Sequence, residues 1–400
     1  MQFLQNSSAH IRIERCFDIK FEVVCVFDGR AVTHGQEYGT LRSKRSIMVR
    51  IAIDCMGGDQ APSAIMDGAL RSLAATKDTK LFLFGPEGLL KEELQKSAKA
   101  AGVSEADLAA RVEICDAAEV ISLHEAPVLA IRRKKDSSIV KALHFVKEGH
   151  ADAFISAGSS GAILAGGQLI IGRAKGVPRP PFGALIPTSR GVTLLLDSGA
   201  NVDAKPEWLV QYAKMGSIYM KEVCGIQNPT VGLVNVGAEE EKGNALVKET
   251  MPLLKEVKDI NFIGSCEARE ISFGACDVVV CDAFVGNCIL KMYEGVGKMV
   301  LGEIMSAIKS TPISLIGGAL IKGTLKGTMK KFDAKQYGGA PILGLRGLVV
   351  KVHGNTDGRE ITHAIQQCYD FVHADAVQKI AASIEAENAR AEEAAQPTES

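Results

Sequence analysis

The chain has 400 residues, a net charge of −1 and only 5% aromatic residues, with Trp208 as its sole tryptophan, so it offers neither a global basic field nor a stacking platform to recruit nucleic acid. This length allows a large core; at roughly 150 residues per domain there would be two or three, but α/β sheets often run longer, and one main body is expected. Ten cysteines with no C-x-x-C pair, among them Cys276, Cys281 and Cys288 in or near apolar strand-like runs, read as reduced, buried thiols of a cytosolic protein rather than as a metal or redox site.

Residues 1–47 are unlike the rest and read as an N-terminal extension. The run FEVVCVF, Phe21 to Phe27, carries Glu22, is too short to span a bilayer and has no secretory cleavage pattern after it. It reads either as a short strand or as no native segment. The α/β pattern begins at Met48, directly after LRSKRS, which makes Met48 a candidate start, and function is not placed before it. From there the spacing predicts a strand at Arg50–Asp54, a helix at Pro62–Ala75 and a strand at Lys80–Phe84, which Gly85-Pro86 breaks before a helix ending near Gly102. A strand at Val112–Asp116 follows. The basic run Arg132, Arg133, Lys134 and Lys135 precedes a helix that Asp136 or a following serine can cap and that ends at Gly149. That run is either a solvated face or a docking surface for an acidic partner.

After the loop ISAGSSG come a helix to Arg173, the link VPRPP, a strand at Gly183–Ile186 and a buried strand at Leu194–Leu196. Helix Glu207–Cys224, strand Thr230–Val236, helix Glu239–Val257 and strand Asn261–Gly264 continue the rhythm. This alternation predicts an α/β fold, a mostly parallel sheet with helices on both faces in a Rossmann-like three-layer arrangement, over residues 48–385. The segment Pro312–Phe332 breaks the rhythm. Ile313, Ile316, Leu320, Ile321, Leu325 and Met329 share one helical stripe, with Lys322, Lys326 and Lys330 beside it. Its glycines interrupt it too often for a membrane span, which leaves a dimer interface or an interfacial membrane contact. Residues 386–400 form a polar tail that should fray.

The strand ends carry the functional signal. LLLDSGANVDAKPEWL runs from a buried strand through small and polar residues into a helix opened by Pro206, with Lys205 beside its start and Asp203 as a possible cap. The same construction recurs in RIAIDCMGGDQAP, FISAGSSGAILAGG, GLVNVGAEEEKGN, VVVCDAFVGN and VKVHGNTDG. In one open sheet, six such loops converge on one crevice suited to a small anion. The chain lacks G-x-G-x-x-G after the first strand and G-x-x-x-x-G-K-[ST], and Gly158-Ser159-Ser160-Gly161 is one residue short of a hydrolase elbow. Of the histidines only His353 stands at a predicted strand end, where it is either catalytic or satisfied within the loop.

Together IDCMGGDQAP, RRKKDSS, ISAGSSGA, LLLDSGANVDAKPE, GLVNVGAEEEKGN, NFIGSCEARE, VVVCDAFVGN, YGGAPILG and VKVHGNTDG closely resemble the bacterial phosphate acyltransferase of phospholipid synthesis, in order, from Val49 to Asp370. The chain departs from that pattern at Ser159-Ser160 where Asn-Thr is usual, Ser198 for Val, Gln60 for His and Asn355-Thr356 for Ser-Ser. The resemblance implies transfer of a long-chain acyl group from acyl carrier protein to inorganic phosphate, without a cofactor. It also implies a fold akin to phosphate acetyltransferases and isopropylmalate dehydrogenases, a homodimer, and delivery of acyl phosphate to a membrane glycerol-3-phosphate acyltransferase. A cytoplasmic, peripherally membrane-associated enzyme follows from the same resemblance.

On that basis Lys205, Asn235 and Asn244 are expected to be catalytic. Gly57, Gly58, Asp59, Gly158, Ser159, Ser160, Gly161, Asp197, Gly199, Asn201, Lys242, Asp282, Asn287 and His353 are expected to bind phosphate or substrate, and Arg132, Arg133, Lys134 and Lys135 to dock the carrier protein. Asp54, Asp59, Asp197 and Asp282 would orient donors, a divalent metal on these acids being the alternative. Rival readings are a phosphate acetyl- or butyryltransferase using coenzyme A thioesters and a noncatalytic anion-binding regulator.

Overall fold

The computed structural model describes residues 25–27, 30–32 and 48–395. Contacts divide the chain into two compact units, Met1–Ser43 and Lys44–Ser400. In the first, β1 (Cys25–Phe27) pairs antiparallel with β2 (Arg30–Val32), so the end of the FEVVCVF run is a short strand. Its start lies outside the described residues. Everything below concerns the second unit.

The chain first builds β3 (Val49–Asp54), α1 (Ser63–Ala75), β4 (Thr79–Gly85), α2 (Glu87–Ala101), α3 (Glu105–Arg111), β5 (Val112–Asp116), α4 (Pro127–Arg133), α5 (Ser138–Lys147), β6 (Ala153–Ser156) and α6 (Ser160–Gly166). Strand β3 is central, parallel to β4 on one side and β6 on the other, and both its faces are covered, which is why its middle, Ile51-Ala52-Ile53, is apolar on both faces. Helix ends follow local chemistry. Gly102 closes α2 at φ +66, a conformation that costs glycine little, and the Ser104 hydroxyl accepts from Asp107 N–H at 3.1 Å at the start of α3. Ser137, not Asp136, caps α5; Asp136 pairs with Lys141 at 2.7 Å. Beyond α6 the helix widens into a π-type turn at Gly167–Ile171.

A second sheet then forms from β7 (Gly183–Thr188), β8 (Gly191–Leu196), α7 (Pro206–Glu222), β9 (Thr230–Asn235), α8 (Ala245–Glu256), β10 (Asn261–Glu267), α9 (Ala268–Ile271) and β11 (Val278–Val280). Two long helices, α10 (Ala283–Lys309) and α11 (Pro312–Lys331), precede the return to the first sheet through β12 (Ala340–Pro341) and β13 (Leu348–Lys351), and α12 (Gly358–His373) and α13 (Ala376–Ala395) close the unit. The strand orders are β12-β13-β6-β3-β4-β5 and β10-β9-β11-β8-β7, parallel except for edge strands β12 and β7.

The α/β class with helices on both faces therefore holds, but the single sheet does not. After VPRPP the chain folds β7 back on β8 as a tight antiparallel hairpin instead of adding a parallel neighbour to β6, and this starts a separate sheet. One core still runs through both, uniting Ile51 and Ile53 with Leu194, Leu196, Val231, Val278 and Val350. A bridge between Phe182 and Ile342 joins the sheets' antiparallel edges.

Two further expectations change. Helix α13 continues to Ala395, so the segment from 386 is not a frayed tail over the described residues: Ile384 is fully buried, and Glu387 pairs at 2.8 Å with Lys214, a buried lysine also 3.7 Å from Asp259. Cys288 is exposed on α10, unlike buried Cys276 and Cys281. The 312–332 segment is mainly α11, packed on α10 where Gly318 admits Ile308. Leu325 and Met329 are half-buried, whereas Ile313 and Leu320 are each 83% exposed and Ile316 and Ile321 are also exposed. Among the described residues no helix is long and apolar enough to cross a membrane.

Candidate functional site

Three loops meet at the carboxyl ends of β3, β6 and β13. The buried Asp54 carboxylate ends β3; its Oδ1 accepts from Met56 N–H at 3.0 Å and its Oδ2 from the Ser156 hydroxyl at 2.6 Å, while Ser156 Oγ in turn accepts from Gly158 N–H at 2.9 Å. Burial raises the Asp54 pKa above the ordinary carboxylate value, against the pull of its hydrogen bonds from Ser138, Ser156, Met56 and Gly57. The loops touch through backbone. A Cβ on Gly57 would lie 2.4 Å from Gly158 N, and one on Gly58, at φ +95, would lie 2.9 Å from Gly354 O. Asp59 N–H donates to Gly354 O at 2.7 Å, and its side chain faces outward. Ser159 caps α6, its hydroxyl accepting from Ala162 N–H at 3.4 Å; Ser160 is exposed at the helix start and Gly161 packs on Pro127. Gly57, Gly58, Asp59, Gly158, Ser159, Ser160, Gly161 and the His353 loop are thus one neighbourhood.

The second neighbourhood is the end of β8. Asp197 is fully buried, and its Oδ1 accepts from Phe182, Gly199 and Ala200 N–H groups at 3.1, 3.0 and 2.9 Å. Oδ2 accepts from Asn201 N–H at 2.9 Å and from its Nδ2 at 2.8 Å. Burial raises the Asp197 pKa despite these bonds. All five of these bonds come from its own loop and from Phe182, so the carboxylate shapes that loop. Asn201 also donates to Pro180 O at 3.1 Å, and its carbonyl accepts from Ala283 N–H at 3.0 Å, which ties the loop to the start of α10. Asp282 caps that helix, its Oδ1 accepting from Val285 N–H at 3.0 Å.

Helix α10 joins the two neighbourhoods. Asn287, Lys291 and Glu294 follow one another at helical spacing on one face. Asn287 Oδ1 lies 3.9 Å from where a Gly199 Cβ would stand, Lys291 faces Lys351 electrostatically, and Glu294 Oε1 meets His353 Nε2 at 2.9 Å. His353 N–H donates to Glu360 Oε1 at 3.1 Å, and burial raises the pKa of Glu360. The loops expected to converge over one sheet thus come from two sheets, and α10 contacts both sets, through Ala283 N–H to Asn201 O and through Glu294 to His353.

The remaining expected residues lie apart from that face. Asn235 is buried at the end of β9, its Nδ2 donating to Ser265 Oγ at 3.0 Å and Glu239 O at 3.3 Å and its Oδ1 accepting from Val236 N–H at 2.8 Å. Asn244 caps α8, accepting from Val247 N–H at 3.0 Å, which starts that helix six residues later than expected. Lys242 is exposed and paired with Glu239 at 2.8 Å. Lys205, not Asp203, is the N-cap residue of α7, by backbone geometry ahead of Pro206. Its exposed side chain lines an open groove of about 830 Å³ with Arg173, Arg346, Trp208 and the π-type turn residue Gln168. Among the described residues, none of the hydrogen bonds or ion pairs of these four residues reaches the Asn287–Glu294 face. In the basic run, Lys134 is held by Glu125 at 2.8 Å and donates to Val120 O at 2.7 Å, whereas Arg132, Arg133 and Lys135 are exposed. Among the described residues no group of three or more His, Cys, Asp or Glu is arranged to hold a metal ion.

A family model described as fatty acid synthesis protein matches residues 49–379. The phosphate acyltransferase of Clostridium perfringens (strain SM101 / Type A) is 49% identical over 336 residues, covering 84% of this chain and 97% of the relative. That of Clostridium beijerinckii is 49% identical over 341 residues, 85% of this chain and 100% of the relative. The chain belongs to the bacterial phosphate acyltransferase family. Among solved structures, a phosphotransacetylase from Streptococcus pyogenes aligns with a TM-score of 0.51 at 16% identity, covering 83% of this chain and 96% of that one, a likeness of fold alone.

In this family member, sequence reasoning missed Lys291 and Glu294, whose helical spacing was legible but sits inside an apolar run, and Lys351, Ser156 and Glu360, which stand in or beside the quoted glycine-rich motifs but were not singled out within them.

Proposed function

We propose that the protein transfers a long-chain acyl group from the thioester of acyl carrier protein to inorganic phosphate, releasing acyl phosphate for phospholipid synthesis. The names of the curated relatives support acyl transfer to phosphate, and one geometric observation carries the mechanism: the close backbone approach of Gly57 to Gly158 and of Gly58 to Gly354, which brings the three loops together beside the start of α6. Phosphate is already an oxygen nucleophile, so the protein need only hold two anions, phosphate and the developing thioester oxyanion, in attack geometry. The thiols beside these loops fit that economy. Burial pushes Cys55 and Cys281 well above the ordinary thiol value, so neither is a poised thiolate nucleophile.

In this reading Gly158, Ser159, Ser160 and Gly161 hold phosphate, and Asp54 and Asp197 fix the loops that carry the donors. Lys205 brings a cation to the acyl-donor groove. Asn235 and Asn244 brace the β9 loop, and Arg132, Arg133 and Lys135 meet the acidic carrier protein. The enzyme works as a homodimer in the cytoplasm, and the exposed stripe of α11 touches the membrane where a glycerol-3-phosphate acyltransferase takes the product. A coenzyme A donor is the second reading, favoured by the phosphotransacetylase fold. Incubation with ³²P-labelled phosphate and either palmitoyl carrier protein or acetyl coenzyme A, followed by isolation of labelled acyl phosphate, separates them: labelled palmitoyl phosphate supports the proposal, and labelled acetyl phosphate alone refutes it.

A further inference from the structure

Lys351 ends β13, in register with Ser156 of β6 and so level with the three meeting loops. Its side chain is largely withdrawn from water. Nζ donates to Ala157 O at 3.4 Å and to the carbonyl of Val352, and among the described residues no carboxylate lies within ion-pair distance. The other well-covered lysines are treated differently: Lys214 has Glu387 and Asp259, Lys134 has Glu125, and Lys335 has Asp357. A covered ammonium without a counter-ion is costly, and a structural lysine gains nothing from being left in that state.

The groups facing it are Asp54 at the end of β3, Asp59 in the following loop, Glu360 on α12 and Lys291 on α10. His353, two residues on, turns instead to Glu294. Two carbonyls fix the ammonium in place, and carboxylates at longer range keep it from being lost entirely.

We propose that Lys351 is the general acid of the reaction, giving its proton to the sulfur that leaves the acyl group. The step rests on the acyl-transfer reading above. A phosphate oxygen bonds to the thioester carbonyl carbon, the carbon–sulfur bond breaks with its electron pair going to sulfur, and sulfur takes a proton from Nζ. The neutral amine left behind regains a proton from solvent. Burial lowers the Lys351 pKa to about 8, close to the ~8.5 of an ordinary thiol, the match at which proton transfer to a leaving thiolate is most efficient.

The test uses the full chain with inorganic phosphate and two palmitoyl donors, the pantetheine thioester and the 4-nitrothiophenol thioester, whose thiolate departs without a proton. Lys351→Met should lose roughly 10²-fold or more with the first donor and less than about 10-fold with the second, since general acids typically supply ~10²–10⁴. The parental rate with the pantetheine donor should fall as pH rises through about 8, and the nitrothiophenol rate should not. The two-donor pH comparison needs no variant, so it decides the matter even if Lys351→Met folds poorly. Equal loss with both donors, or identical pH profiles, overturns the role of Lys351 while acyl phosphate formation by the parent keeps the acyl-transfer reading. No acyl phosphate from either donor with the parent overturns both.

Discussion

Gly57→Ala is the sharpest perturbation of the contact between these loops. The added Cβ would lie 2.4 Å from Gly158 N, 2.6 Å from Asp54 Oδ2 and 2.9 Å from Gly158 Cα, against an ordinary contact of 3.4 Å or more. All three are backbone or a hydrogen-bonded buried carboxylate, so no flexible side chain can yield, and the β3 and β6 loops must part by roughly 1 Å. Overpacking of this kind costs about 1–3 kcal/mol, and a misplacement of about 1 Å at a reacting site costs on the order of 10²-fold in rate. The expected result is a modestly lowered urea midpoint and a rate of acyl phosphate formation reduced about 10²-fold, with the loss in kcat. Gly88→Ala is the control, because a Cβ there meets nothing within 4 Å. A Gly57→Ala protein that keeps parental kcat would refute the claim that these loops form the site.

Other substitutions probe the periphery. Lys205→Ala should fold normally, since its side chain is exposed and makes no ion pair among the described residues, and should lose most acyl phosphate formation; near-parental turnover with intact circular dichroism removes Lys205 from the chemistry. Reversing Arg132, Arg133 and Lys135 to Glu should raise the KM for acyl carrier protein far more than that for phosphate; carrier-protein kinetics insensitive to both the reversal and added salt would mark a solvated face. Ile313→Glu with Leu320→Glu should weaken binding to anionic vesicles, measured by flotation, while the catalytic step persists. Collapse of that double variant to monomer would place the stripe in a subunit interface instead.

Much of the fold was legible because buried parallel strands leave plain apolar runs, and the β3, β6 and β8 loops announce themselves by glycine and acid. The division into two sheets was not, since alternation counts strands without saying which neighbour each one takes; only the β7–β8 hairpin decides that. Helix α13 hid in an alanine- and glutamate-rich stretch whose partner, Lys214 on α7, is far away in sequence. The site divided similarly. Glycine positions 57, 58 and 158 could be read because backbone contact demands them, whereas Lys351 looked like one polar residue closing a strand, and its missing counter-ion is visible only in three dimensions. Asn235, Lys242 and Asn244 were legible as polar residues near a strand end, but the bonds each makes within its own loop were not.

The central claim is that inorganic phosphate itself attacks the thioester carbonyl. The most direct measurement supplies phosphate labelled with ¹⁸O at every oxygen, together with palmitoyl carrier protein, and reads the product by mass spectrometry. The account predicts palmitoyl phosphate that retains the full phosphate label, formed in step with free carrier-protein thiol. Thiol release accompanied only by free palmitate, or product lacking one phosphate label, would contradict it.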